Sequence, residues 1–219
     1  RGLHFYLHSD AAYGGYFASM FKTKDGNYIS EDNLEKLYQG IFRKDMLKDF
    51  MALSEVDSIT IDPHKLGYIP YPAGAILFRE KDVRDLISCH APYVFKEGGN
   101  PEDFLGRFIF EGSKPGAAAV ACYLSHKMNP LHAEGHGKML AGVVMGTKKF
   151  YKSMLKQASD QNAKYRIFPL CEPETNVVCY VVVPADFYSL LQLNILTEMI
   201  AVELGVEATY DESWKCLIS

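Results

Sequence analysis

Two side chains in this sequence belong to the types that do carbonyl–amine chemistry together. Asp10 stands in His8-Ser9-Asp10-Ala11-Ala12-Tyr13-Gly14-Gly15, and Lys65 stands in Asp62-Pro63-His64-Lys65-Leu66-Gly67. A carboxylate followed by small residues can meet a cation, and Ala12 leaves room for a flat ring to come close. Alone, Asp10 reads as an acid that opens a turn before glycines. Lys65 follows a β-branched run and a turn stiffened by proline. Burial and a neighbouring cation would both lower its pKa and expose the free amine that Schiff-base chemistry needs. Alone, it reads as one of the many lysines that sit at a surface.

The elements decide whether the two can meet. Leu3–Ser9 and Ser58–Ile61 read as strands, so each chemical residue follows a strand end, where open α/β sheets collect their ligands. Between them, apolar Leu34, Leu37, Ile41, Met46, Leu47, Phe50 and Met51 are spaced for one helix over Glu31–Leu53. Ser30 or Asp32 is placed to cap it. Ala75–Phe78 reads as a strand and Lys81–Cys89 as a helix. Ala91–Gly106 holds prolines, glycines and charges, and reads as a long loop of the kind that closes over sites. Gly116–Met128 and Gly137–Ala158 read as helices, Tyr165–Pro169 and Asn176–Val183 as strands, and Phe187–Leu204 as a helix ended by Gly205. The pattern predicts an α/β domain over residues 1–145 and a smaller α+β domain over 146–219.

An acid and an amine at neighbouring strand ends are the pair that pyridoxal 5′-phosphate (PLP) asks for. The amine anchors the aldehyde, and the acid keeps the pyridine nitrogen protonated so that the ring withdraws electrons. Bulk properties exclude other classes. The chain has 219 residues, 48% hydrophobic, with a net charge of −4. No basic block or basic–aromatic stripe suggests nucleic acid, and no apolar run suggests a membrane span. The cysteines are Cys89, Cys122, Cys171, Cys179 and Cys216, an odd number without C-x-x-C spacing. Free thiols in a cytoplasmic chain are expected. His132-Ala133-Glu134-Gly135-His136 departs from the H-E-x-x-H order, so no metal site is expected. The chain opens on Arg1 and stops soon after a helix, and a piece of a longer protein is expected.

His8-Ser9-Asp10-Ala11-Ala12-Tyr13-Gly14-Gly15 resembles the H-V-D-A-A-x-G-G motif of the group II PLP-dependent amino-acid decarboxylases. Asp62-Pro63-His64-Lys65 resembles their N/D-P-H-K motif, and Glu111-Gly112-Ser113-Lys114-Pro115-Gly116 their G-S-R/K-x-G segment. Lys65 through Gly74, Tyr93 through Gly98 and Leu131 through Gly137 are most similar to the bacterial tyrosine decarboxylases within that family. Archaeal tyrosine/aspartate decarboxylases share part of the first stretch. The resemblance implies fold type I of the PLP-dependent transferases: part of the large α/β domain and the start of the small α+β domain. It implies PLP on Lys65, paired to Asp10 and faced by Ala12, with His64 near the phosphate or the substrate carboxylate. Tyr93 would return a proton to the substrate carbon, and Tyr71 would reach the substrate. Gly112 and Ser113 would approach the phosphate across a homodimer with shared active sites, although Ser113 also reads as a helix N-cap. The expected reaction converts L-tyrosine to tyramine and carbon dioxide. A decarboxylase or lyase for glutamate, aspartate or another amino acid is the alternative, and a non-catalytic scaffold module is the alternative of another class.

Overall fold

Strands β1 (His8–Asp10) and β2 (Ser58–Ile61) lie side by side and parallel, with His8 opposite Ser58 and Asp10 opposite Thr60. Strand β3 (Ala75–Phe78) pairs antiparallel with the other edge of β2, giving the order β1-β2-β3. This is a computed structural model, and it describes residues 5–43, 45–88, 105–109, 111–186 and 189–203.

Parallel neighbours need a crossover. Here it comprises a 3-10 helix (Gly14–Phe21), α1 (Glu31–Tyr38) and α2 (Met46–Ala52). The crossover also carries much of the core: Phe17, Met20 and Phe21 are fully buried, and Tyr38, Met46 and Leu47 nearly so. The Phe21 ring lies 4.9 Å from Phe50 and 5.5 Å from Phe42, within the usual range for aromatic pairs. The Tyr38 hydroxyl donates to the Met20 carbonyl at 2.8 Å. Burial pushes the Tyr38 phenol up to about 12.

The single helix expected over 31–53 is two. Gln39 and Gly40 both take positive φ, 48° and 73°, and break the chain direction after Tyr38. Glycine adopts that conformation without a Cβ penalty, so the apolar spacing was overridden locally. Of the residues expected in the first strand, the described 5–7 lie outside β1, which runs on to Asp10, and the 3-10 helix after it was not foreseen. The helix expected from Lys81 is of the 3-10 kind over Lys81–Ile87. Further on come a short 3-10 turn (Leu105–Phe108), α3 (Ala117–Met128) and α4 (His136–Ala158).

The chain divides into two compact units, 1–142 and 143–219, with the division inside α4. In the second unit, β4 (Tyr165–Pro169) pairs antiparallel with β5 (Tyr180–Pro184), and α5 (Leu190–Glu203) lies against β5. β5 starts later than the Asn176 expected for it.

Candidate active site

The backbone brings the two motifs together. Asp10 ends β1, and its Oδ1 accepts the Ala12 N–H at 3.1 Å. The Ala12 carbonyl in turn accepts the Asp62 N–H at 3.1 Å, tying the turn after β1 to the turn after β2. Below them, the His8 ring spans two hydroxyls of the neighbouring strand: Nδ1 lies 2.7 Å from Ser58 Oγ and Nε2 3.2 Å from Thr60 Oγ1. Gly15 packs against β2, where an added Cβ would stand 3.2 Å from Ile61 Cγ1.

The lysine turn is tightly built. The Lys65 N–H bonds to the Asp62 carbonyl at 3.0 Å, the Tyr68 N–H to Lys65 at 3.1 Å, and the Ile69 N–H to Pro63 at 3.1 Å. Gly67 has no room for a side chain: a Cβ would collide with the Pro63 carbonyl and stand 2.6 Å from Tyr16 Cζ. From the other side, His136 is buried at 2% exposure. Its Nε2–H donates to the Leu66 carbonyl at 2.7 Å, so its Nδ1 is the acceptor toward Asn129 Nδ2 at 3.3 Å. Burial, with a smaller contribution from Cys122, pushes the nearby Tyr16 phenol up to about 12.

Lys65 does not sit as a bare amine. Its Nζ lies 2.8 Å from Asp62 Oδ2. The hydrogen bond that it donates to Asp62 raises its pKa against a partial desolvation that lowers it, and the charges of Asp62, Asp10 and Tyr71 add to the rise. The expectation of a depressed pKa is therefore corrected: among the described residues no cation is given against the amine, and a carboxylate three residues earlier is. His64 donates its Nδ1–H to the Ala73 carbonyl, which leaves Nε2 facing Asp62 Oδ2 at 3.8 Å. The His64 and Tyr71 rings lie with centroids 4.0 Å apart at 33°. The Tyr71 side is open, at 76% exposure.

Asp10, Ala12, His64, Lys65 and Tyr71 are thus linked through Asp62 at one end of the sheet. Gly112 and Ser113 have no contact with them that the structure assigns. Gly112 takes φ +70°, and its N–H bonds to the Ile109 carbonyl at 3.1 Å. Ser113 is not a helix cap, because α3 is preceded by Gly116 and carries no side-chain cap bond. Tyr93 lies outside the described residues. Sequence reasoning passed over three residues: Asp62, taken only as part of the motif, and His8 and His136. Asp62 was findable, since it stands three residues before Lys65 across a proline turn. His136 sat in a segment weighed only for metal, and no group of three or more His, Cys, Asp or Glu among the described residues is arranged to hold one.

The donor set fits PLP. Its aldehyde needs a reachable amine, and the Lys65 side chain is 37% exposed. Its pyridine nitrogen needs an acid, and Asp10 is exposed on a paired strand. Its ring face needs a small neighbour, and Ala12 adjoins both turns.

No family model matches the chain. Curated relatives do. The chain is 37% identical over 208 residues to an L-tyrosine decarboxylase of Enterococcus faecium, covering 90% of this chain and 34% of the relative. It is 38% identical to an L-tyrosine decarboxylase of Levilactobacillus brevis, over 89% of this chain and 33% of the relative. It is 33% identical to an L-aspartate decarboxylase of Thermococcus kodakarensis, over 80% and 37%. The chain therefore spans about a third of the length of these relatives. Among solved structures it resembles mouse CSAD in apo form, with TM-score 0.61 and 17% identity over 92% of this chain and 37% of that one. It also resembles the glutamate decarboxylase domain of a diaminobutyrate-pyruvate transaminase and L-2,4-diaminobutyrate decarboxylase from Vibrio parahaemolyticus. There the TM-score is 0.51 and the identity 15%, over 93% and 38%. These likenesses give the fold: part of the large α/β domain of fold type I, with the start of the small α+β domain. The resemblance to group II decarboxylases that the motifs carry extends over most of the chain.

Proposed function

We propose that this chain, a relative of the group II decarboxylases, is the portion of a PLP-dependent L-amino-acid decarboxylase that supplies the cofactor's amine and acid. The parent protein's substrate is L-tyrosine, which it converts to tyramine and carbon dioxide. One observation carries the reading: an amine and a carboxylate stand at the ends of two paired parallel strands, joined through the Ala12–Asp62 backbone bond. The tyrosine decarboxylases at 37–38% identity support the substrate. The aspartate decarboxylase at 33% identity makes aspartate the second candidate.

PLP, when bound, supplies an electron sink for the pair left on the α-carbon as the carboxylate departs. The chain's residues do the rest. Lys65 Nζ is the covalent anchor and the group that the incoming amine displaces. Asp10 holds a proton on the ring nitrogen by its negative charge. Ala12 leaves the ring face free. His64, fixed by Ala73 and stacked on Tyr71, forms a wall with its Nε2 toward the site. That wall orients the α-carboxylate, and orientation decides which bond breaks. Tyr93 Oη returns the proton to the α-carbon. Gly112 and Ser113 approach the phosphate of the neighbouring copy in a cytoplasmic homodimer.

The test is made on the full-length parent. Adding PLP should produce a visible absorbance band that Lys65→Ala abolishes. Carbon dioxide release from a panel of amino acids should be fastest with tyrosine. Inactivity on tyrosine with turnover of aspartate would replace the substrate, and absence of the band would sink the enzyme reading.

A further inference from the structure

We infer that Asp62 is a dock for the Lys65 amine, a positioning residue that holds the amine at the site whenever it is not bonded to the cofactor. The inference rests on the reading of Lys65 as cofactor anchor and adds a role that the anchor itself does not require. An anchor needs a reachable lysine; it does not need a carboxylate 2.8 Å from the nitrogen.

The geometry distinguishes a dock from a chance surface pair. The Asp62 side chain is only 18% exposed, so its charge is less screened than that of the exposed pairs Lys24–Glu134 and Lys48–Asp45. Its backbone N–H is committed to the Ala12 carbonyl, and its own carbonyl accepts the Lys65 N–H. The carboxylate is therefore fixed to the same turn as the lysine and to the turn that carries Asp10. Gly74 closes behind it, where an added Cβ would stand 3.4 Å from Asp62 Oδ1. The groups facing this pair can be named. Asp10 and Tyr71 act on Lys65 alongside Asp62, and His64 faces Asp62 with Nε2 at 3.8 Å.

The chemistry gives the dock two consequences. Forming the bond from Nζ to the cofactor's aldehyde carbon expels one water and needs the nitrogen lone pair, so a proton must first leave Nζ for solvent. A carboxylate that favours the ammonium opposes that step and moves it to higher pH. When substrate takes the lysine's place, the released amine has a partner one hydrogen bond away and stays poised to return.

The test reads Lys65 directly in the full-length protein freed of cofactor. Competitive acetylation with acetic anhydride across a pH series, resolved by peptide mass spectrometry, gives the midpoint at which each lysine becomes reactive. Lys65 should become reactive at a higher pH than the typical exposed lysine of the same digest. In Asp62→Asn the Lys65 midpoint should fall toward that of the exposed lysines of the same digest, because the adjacent opposite charge is gone. Asp62→Glu should recover part of the shift. An unaltered protein in which Lys65 titrates with the other lysines overturns the inference, even if the variants misfold. So does an unchanged midpoint in a folded Asp62→Asn. PLP added before acetylation tests the anchor separately: failure to protect Lys65 would overturn that reading and leave the Asp62 result standing.

Discussion

At the scale of single residues, the site consists of short polar side chains that each hold one neighbour. Asp10 is the plainest case, because its carboxylate bonds only the Ala12 N–H among the contacts described for it and is otherwise open. Asp10→Asn keeps the shape and removes the charge that would hold the ring nitrogen's proton. Turnover of the full-length protein should fall by about a hundredfold, the scale of one lost preorganised electrostatic contact. The acetylation midpoint of Lys65 should move far less than in Asp62→Asn. A variant with full activity would exclude Asp10 as the ring's acid. The Lys65 sign is the reverse of the one its chemistry suggested. A lysine whose pKa rises on folding gains from its partner below its ordinary pKa and loses that gain as pH climbs through the raised value.

At the scale of elements, the lysine turn is locked from three directions: by its own backbone bonds, by Tyr16 against Gly67, and by His136 on the Leu66 carbonyl. Gly67→Ala should destabilise by about 1–3 kcal/mol, since the new methyl meets a backbone carbonyl that cannot swing away. His136→Ala should cost about 2 kcal/mol or more, because the Leu66 carbonyl loses its donor and a buried ring becomes a cavity. Urea midpoints measured side by side check both, and a neutral result for either would mean that the turn is looser than its packing implies. The sequence made parts of this legible. The β-branched run Ser58–Ile61 was legible as a strand, and the amphipathic stretch of α4 as a helix that buries Leu140, Ala141, Val144 and Met154. The break at Gln39–Gly40 was not, because one glycine's freedom outweighed a helical spacing that continues on both sides. The Asp62–Lys65 pair was passed over for another reason. A motif invites each residue to be read by its family role, and the i,i+3 approach across a proline turn is a property of the local backbone alone.

At the scale of the whole molecule, large apolar side chains of the first unit stand open to solvent: Phe5 at 76%, Leu86 at 86% and Met128 at 87%. The relatives are about three times as long as this chain. The 219-residue piece produced alone should therefore bind a hydrophobic dye and give no PLP absorbance, whereas the full-length protein should bind PLP and sediment as a dimer. A monodisperse, PLP-binding 219-residue piece would show that the pocket needs less of the parent than proposed. The backbone bond from Asp62 to Ala12 joins the two halves of the site directly, so the excursion between them need not keep a fixed length. Within it, an exposed tight turn lies at Asp25–Gly26, where Thr23 and Asn27 close the backbone and Gly26 takes φ +80°. A foreign peptide spliced there should leave the acid and the amine where they are, which makes that turn a natural place to attach a label, a tether or a reporter.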